Sequence, residues 1–311
     1  MSAHTPVLLH EAINSVLIDA NGLYVDGTFG RGGHTKELLS RLSGKGRVIG
    51  FDKDPIAIDL GKVVFKFEER LELIHESFSK LHLVLKKRGN LGNVSGVLLD
   101  LGVSSPQLDQ GDRGFSFLHD GPLDMRMNNS KGMTAAQWIA ESDQDELIKI
   151  FKTYGEEKFA VRIAKNIIRK RFQEPIETTH QLAAIVSEAH PRWKRGQHPA
   201  TKIFQAIRIH INNELEDLDV LLKNVLKILK VGGKLVVISF HSLEDRKVKQ
   251  FIREKEKGPV LPKGIPIRNA EHKILLRSVG KSIKPSGFNK TGGGGVHLHP
   301  QARSCHLQRQ S

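Results

Sequence analysis

Over the first hundred positions, apolar residues fall in short runs that close on a carboxylate or a turn. Tyr24-Val25 leads into Asp26, Val48-Ile49-Gly50-Phe51 into Asp52, and Val97-Leu98-Leu99 into Asp100, with a shorter run at 70–75. Runs of this length predict short strands, and near-continuous apolar character predicts burial on both sheet faces, as in a parallel sheet. The intervening segments at 35–42 and 78–88 carry helical spacing, with Phe78, Leu81, Val84 and Leu85 on one face. The rhythm then stops. The next strand-like run, 234–239 behind the turn Lys230-Val231-Gly232-Gly233, comes about 135 residues later, too far for a loop. An irregular stretch at 104–132 gives way to helices predicted at 134–140, 144–154, 158–171, 179–188 and a long one at 201–229. The pattern predicts an α/β domain interrupted by a helical one: 1–105 and 206–311 around an insert at 106–205. The run Gly292-Gly293-Gly294-Gly295 predicts poor order near the end.

The turn after the first strand holds the densest chemistry. Asp26-Gly27-Thr28-Phe29-Gly30-Arg31-Gly32-Gly33-His34 joins a strand to a helix, and the next strand closes on Asp52. In nucleotide-binding α/β units such glycines let the backbone approach a ligand, and an acid about twenty residues on accepts ribose hydroxyls. The spacing is not a dinucleotide fingerprint, because G-x-G-x-x-G counted from Gly30 ends on Thr35. Asp26 would also repel a pyrophosphate. An adenosyl ligand with a positive charge and no phosphates fits better, and S-adenosylmethionine is the common one. The competing reading is a glycine turn without a ligand.

In an open parallel sheet, ligands gather at the carboxyl ends of the strands near the switch point. Asp26, Asp52, Asp100 and Ser239 all close predicted strands. The turn Leu101-Gly102-Val103-Ser104-Ser105-Pro106-Gln107 should border the reacting group. Methylating an exocyclic amine requires acceptors for its N–H groups, because the nitrogen lone pair is delocalised into the ring; holding the hydrogens rehybridises the nitrogen. Asp100 and a carbonyl of that turn suit the task, against the alternative of a loop-capping carboxylate. Phe78 either flanks adenine or belongs to the core.

Composition narrows the class. Hydrophobic content of 39% and charged content of 26% are those of a soluble globular chain. No apolar run approaches the roughly 18 residues of a membrane span. The first residues lack the pattern of a signal peptide, so a cytoplasmic protein without a membrane partner is expected. A lone Cys305 excludes a disulfide framework and a cysteine zinc site, and the 15 histidines show no H-x-x-x-H pairing, so no metal is expected. The net charge of +14 is uneven: 158–208 holds 11 basic and 3 acidic residues, and 246–311 holds 15 and 3, leaving the rest at −6. Two basic regions on a mildly acidic body suggest a polyanion footprint rather than mere solvation. The candidate contacts are Arg162, Lys165 and Arg169 on one helix face and Arg192, Lys194 and Arg195 in a loop. With only 2 Trp and 2 Tyr, base stacking is not expected as the main mode.

Several segments also resemble the bacterial RsmH (MraW) family of 16S ribosomal RNA cytosine-N4 methyltransferases. They are the glycine loop Asp26 to His34, Leu99-Asp100-Leu101-Gly102-Val103-Ser104-Ser105-Pro106-Gln107, Arg113-Gly114-Phe115-Ser116-Phe117, and Asp120-Gly121-Pro122-Leu123-Asp124-Met125-Arg126-Met127. His198-Pro199-Ala200-Thr201 and Ser239-Phe240-His241-Ser242-Leu243-Glu244-Asp245-Arg246 complete the set, in order from about His4 to about Pro262. The resemblance implies a class I S-adenosylmethionine-dependent methyltransferase, Rossmann-like with a mostly parallel sheet and an all-helical substrate-recognition insert. It implies methyl transfer to N4 of one cytidine in the decoding region of small-subunit 16S rRNA. Carried over by motif, the donor contacts are Gly32, Gly33, His34, Asp52, Phe78, Asp100 and Gln107, with Asp100 also the catalytic candidate. The C-terminus departs from the family: the glycine run precedes Pro300-Gln301-Ala302-Arg303-Ser304, and Cys305-His306-Leu307-Gln308-Arg309 follows. That leaves the last sheet strand without sequence support.

Two other classes compete. An amino-methyltransferase acting on DNA or a small molecule shares the strand-end chemistry but has no need of a basic helical insert. A non-catalytic ribosome-assembly factor would keep the glycine loop and lose the Asp100 turn, which is intact here.

Overall fold

The computed structural model describes residues 6–191, 198–257, 275–280, 282–283 and 303–310. The chain forms two units, one from Met1–Gly102 with Leu215–Ser311 and the other from Val103–Glu214. Every run predicted as a strand in the first hundred residues forms one. The elements are α1 Leu9–Val16, β1 Leu23–Asp26, α2 Gly33–Arg41, β2 Arg47–Asp52, α3 Pro55–Val64, β3 Leu71–His75, α4 Leu81–Lys87 and β4 Val94–Asp100. β4 is buried from Val94 to Leu99, which is why its sequence reads as a solid apolar run. α3 starts on a side-chain cap: Asp54 accepts the Ile56 N–H at 3.0 Å, with Pro55 preset for the first turn.

The second unit opens with the short α5, Ser105–Asp109, and an irregular segment. Then follow α6 Ala135–Glu141, α7 Gln144–Thr153, α8 Ala160–Arg171, α9 Thr179–Ala189 and α10 Ala200–Ile211. Thr134, Asp143 and Thr178 cap α6, α7 and α9. The unit has its own core, including Leu123, Trp138, Phe151, Ile163, Ile167, Val186 and Ile207. The irregular segment is tied to it by Asn212, which donates to the Met125 carbonyl and accepts from the Met127 N–H, both at 2.7 Å.

The single long helix expected at 201–229 is two helices, α10 and α11 Glu214–Ile228. Asn213 between them adopts φ 50°, a left-handed conformation that ends a helix and that asparagine tolerates. The break also moves the boundary between units. They part after Gly102 and after Glu214, not at 105 and 205, because α10 places Ile203, Phe204, Ala206 and Ile207 in the core of the insert.

The return half adds β5 Leu229–Ser239, α12 Ser242–Lys257, β6 Leu276–Ser278 and β7 Arg303–Arg309. The sheet has seven strands in the order β3-β2-β1-β4-β5-β7-β6. The first five are parallel, and β7 runs antiparallel to both β5 and β6. A last strand thus exists despite its atypical sequence. It pairs Arg303 to Gln308 with Ser239 to Lys234, and Leu307 and His306 are buried there. Alternation along the strands divides two cores: Val25, Val97, Leu99 and Val237 join one cluster, while Tyr24, Leu98, Val236 and Ile238 join another with α1 and α2. Among the described residues no helix is long and apolar enough to cross a membrane.

Candidate active site at the strand ends

β1 lies between β2 and β4, so the chain reverses its direction of travel across the sheet beside β1. That switch point sets Asp26 level with Gly50 on one side and Leu98 on the other, and brings Asp100 to the same end of the sheet. The glycine loop is held against the end of β4. Gly27 donates to the Leu98 carbonyl at 2.8 Å, and the Asp100 N–H donates to Thr28 Oγ1 at 2.6 Å. A Cβ on Gly27 would lie 2.4 Å from Leu99 Cδ2. Gly32 has φ 72° as the residue before α2, and a Cβ there would meet the rings of Phe65 and Phe29 within 2.8 Å. Gly33 begins α2 against Pro6.

The three acids differ in their partners. Asp26 accepts from Thr35 Oγ1 at 2.7 Å and the Thr28 N–H at 3.2 Å; burial outweighs these bonds and pushes its carboxyl up to about 6. Asp52 accepts from the Gly30 N–H at 2.7 Å and the Asp54 N–H at 2.8 Å, and burial again raises it to about 6. Asp100 has no such relief: Oδ1 is buried with no hydrogen-bond partner among the described residues. Burial, then the charges of Asp26 and Glu244, push Asp100 up to about 8. His34 Nδ1 lies 3.8 Å from Asp100 Oδ2, beyond hydrogen-bond reach. Burial holds the imidazole down at about 4 against the Val7 carbonyl that favours its charge, so near neutral pH the ring is neutral. His34 Nε2 is also buried without a partner among the described residues. Desolvated acids at one sheet end make a place for positive charge.

The structure therefore brings Gly32, Gly33, His34, Asp52 and Asp100 to one end of the sheet. Phe78 belongs to the core, its Cβ 3.2 Å from where a Gly27 Cβ would lie. Gln107 sits in the second unit, where its Oε1 accepts the Ser104 N–H at 3.0 Å and caps α5. On α8, Arg162, Lys165 and Arg169 share an exposed face, and Arg169 pairs with Glu188 at 3.1 Å. Arg192, Lys194 and Arg195 lie outside the described residues, as does the 292–295 glycine run. Sequence reasoning assigned nothing to Thr28, Thr35 and Glu244. Glu244 is buried, accepts the Phe240 N–H at 3.0 Å, lies 3.0 Å from His241 Nε2 and acts on Asp100 through its charge. Its signal was present, because the Ser239 to Arg246 segment follows a strand end.

Six strands of one direction with antiparallel β7 between β5 and β6, a glycine loop on the switch point and acids at the strand ends define the class I methyltransferase fold. A sequence profile of the MraW methylase family matches residues 1–305. Ribosomal RNA small subunit methyltransferase H from Marinomonas sp. (strain MWYL1) is 52% identical over 286 residues, covering 92% of this chain and 91% of that protein. The protein of the same name from Legionella pneumophila (strain Paris) is 51% identical over 285 residues, with 92% of each covered. A crystal structure of an rRNA methylase from Streptococcus thermophilus aligns with 100% of this chain and 99% of that one at 12% identity. Its TM-score of 0.42 is too low to carry an argument. The chain belongs to the MraW methylase family.

Proposed function

We propose that this chain methylates N4 of one cytidine in the decoding region of 16S rRNA of the small ribosomal subunit, using S-adenosylmethionine, in the cytoplasm. The observation that carries the reading is Asp100, a desolvated carboxyl with a buried, unpartnered Oδ1 beside the glycine loop. The residues fit the donor. Its positive charge answers the three raised acids, and the left-handed Gly30 leaves open space where a side chain would project. Bound there, the donor supplies an electrophilic methyl group. Asp52 keeps lone pairs for ribose hydroxyls while two backbone N–H groups fix its carboxylate. The accessible side of the Asp100 carboxylate accepts an N–H of the target amine and holds the nitrogen toward its reactive geometry. Gln107 fixes the turn after Asp100. The α8 cations bind RNA phosphates, and Arg162 and Lys165 form no ion pair among the described residues that would compete. The names of both relatives specify small-subunit rRNA, which favours this substrate over DNA or a small molecule.

The test is to incubate the protein with labelled donor and small subunits lacking the modification, then digest the rRNA and identify the labelled nucleoside. N4-methylcytidine is expected. Label in another nucleoside, or none, would overturn the assignment.

A further inference from the structure

The solvent face of α8 carries more than charge. Arg162, Lys165, Arg169 and Phe172 are all exposed, at steps of three, four and three residues. Such steps keep to one side of a helix. Phe172 is the C-cap with φ −70° and ψ −22°, so the helical path continues to it and the stripe is unbroken. From Arg162 to Phe172 it spans about 15 Å at 1.5 Å per residue. The neighbouring Arg171 is turned to the protein, donating to the carbonyls of Ile139 and Ser142 at 2.6 Å each.

Phe172 is 81% exposed, while the apolar side of the same helix buries Ile163, Ala164 and Ile167 completely. A phenylalanine this bare at the end of a row of cations suits a partner with both an apolar face and negative charge. An unpaired nucleotide has both. Phe67 is barer still at 90%, with Lys66 Nζ 5.4 Å from its ring centre, but it lies beyond the end of α3 and closes no row of helix-face cations.

We propose that Phe172 is a stacking platform for one unpaired base of the RNA strand whose phosphates the α8 cations hold. The inference rests on the RNA-binding reading of this face and adds a contact that a tally of Trp and Tyr overlooks. It makes the face selective for single-stranded RNA, because a base inside a duplex has both ring faces covered by its stacked neighbours.

The probe is a single-stranded RNA of about a dozen nucleotides carrying one 2-aminopurine, a length that covers such a site. Binding to the full-length chain is followed by the quenching of that base. Phe172→Ala should weaken binding by roughly 5- to 150-fold, the range for losing one stacked base. The salt slope should stay unchanged, Phe172→Trp should restore affinity, and Phe172→Leu should not. Binding to the same sequence as a duplex should be equal in wild type and Phe172→Ala. Equal melting temperatures for wild type and each variant establish that the fold is retained. Arg162→Ala with Lys165→Ala separates the two readings. If that pair lowers affinity and slope while Phe172→Ala changes nothing, the stacking inference fails and the basic face stands. If neither changes binding, the face is not the RNA surface and both fall. A Phe172→Ala variant that loses self-association in sedimentation, with RNA binding intact, would instead assign the ring to a contact between copies.

Discussion

The strand ends of the first unit and the solvent face of α8 use charge in opposite ways. At the strand ends the acids are largely desolvated, and burial together with the charges of Asp26 and Glu244 raises Asp100 to about 8. On α8, cations stand in solvent; Arg169 is 61% exposed and its Glu188 partner 50%. A desolvated charge interacts strongly and changes its protonation with its ligand, whereas an exposed charge acts weakly, additively and under the control of salt. One region suits chemistry on a single atom. The other suits holding a long polyanion.

The comparison breaks most visibly at Asp100. Asp100→Asn should reduce turnover at least ~10²-fold, the scale for a lost positioning group, while the chain still binds donor. Normal single-turnover rates would return Asp100 to a structural role. Next, Asp52→Ala should weaken donor binding by ~1.5–3 kcal/mol, the range for hydrogen bonds to a charged group, as read by calorimetry. Unchanged affinity would remove Asp52 from the donor site.

Titration sharpens the contrast. Carboxyls raised to about 6 and about 8 favour the protonated form in the free protein. Their contribution to stability is full below the ordinary carboxylate range and is lost as pH rises through those values. A cationic donor favours the ionised form, so it should bind with proton release, and its affinity should climb between about pH 6 and 8. The limit is tenfold per pH unit for each proton released. His34, held down at about 4, adds no charge change in that window. Flat donor affinity across it would place the donor away from these acids. The smallest effect belongs to the α8 face, where Arg162→Ala with Lys165→Ala should lower the log–log salt slope of RNA binding by ~1.4, at ~0.7 per phosphate contact. An unchanged slope would leave those cations as solvation only.

The same division explains what the sequence revealed. The strands were legible because double burial writes itself as apolar runs, and α8 because its Ile163, Ala164 and Ile167 recur at helical spacing. One misreading and one open question came from pattern without geometry. The apolar stripe of 201–229 passes through Asn212 and Asn213 undisturbed, so periodicity alone could not reveal the turn there. β7 has few apolar residues of its own, and its place comes from pairing with β5. In the site, Asp26, Asp52 and Asp100 were readable as strand-end acids, but their grouping depends on strand order, which brings together residues far apart in sequence. Glu244 was hidden for the same reason: its influence on Asp100 exists only once β5 lies beside β4.

The central claim is that chemistry resides at the strand ends and RNA capture on the insert. It is tested most directly by single-turnover methyl transfer from preloaded donor, with RNA concentration varied, comparing Asp100→Asn with Arg162→Ala plus Lys165→Ala. The account predicts that Asp100→Asn lowers the limiting rate while the half-saturating RNA concentration holds, and that the double variant raises the half-saturating concentration while the limiting rate holds. The opposite assignment, or both variants changing the same parameter, would contradict it.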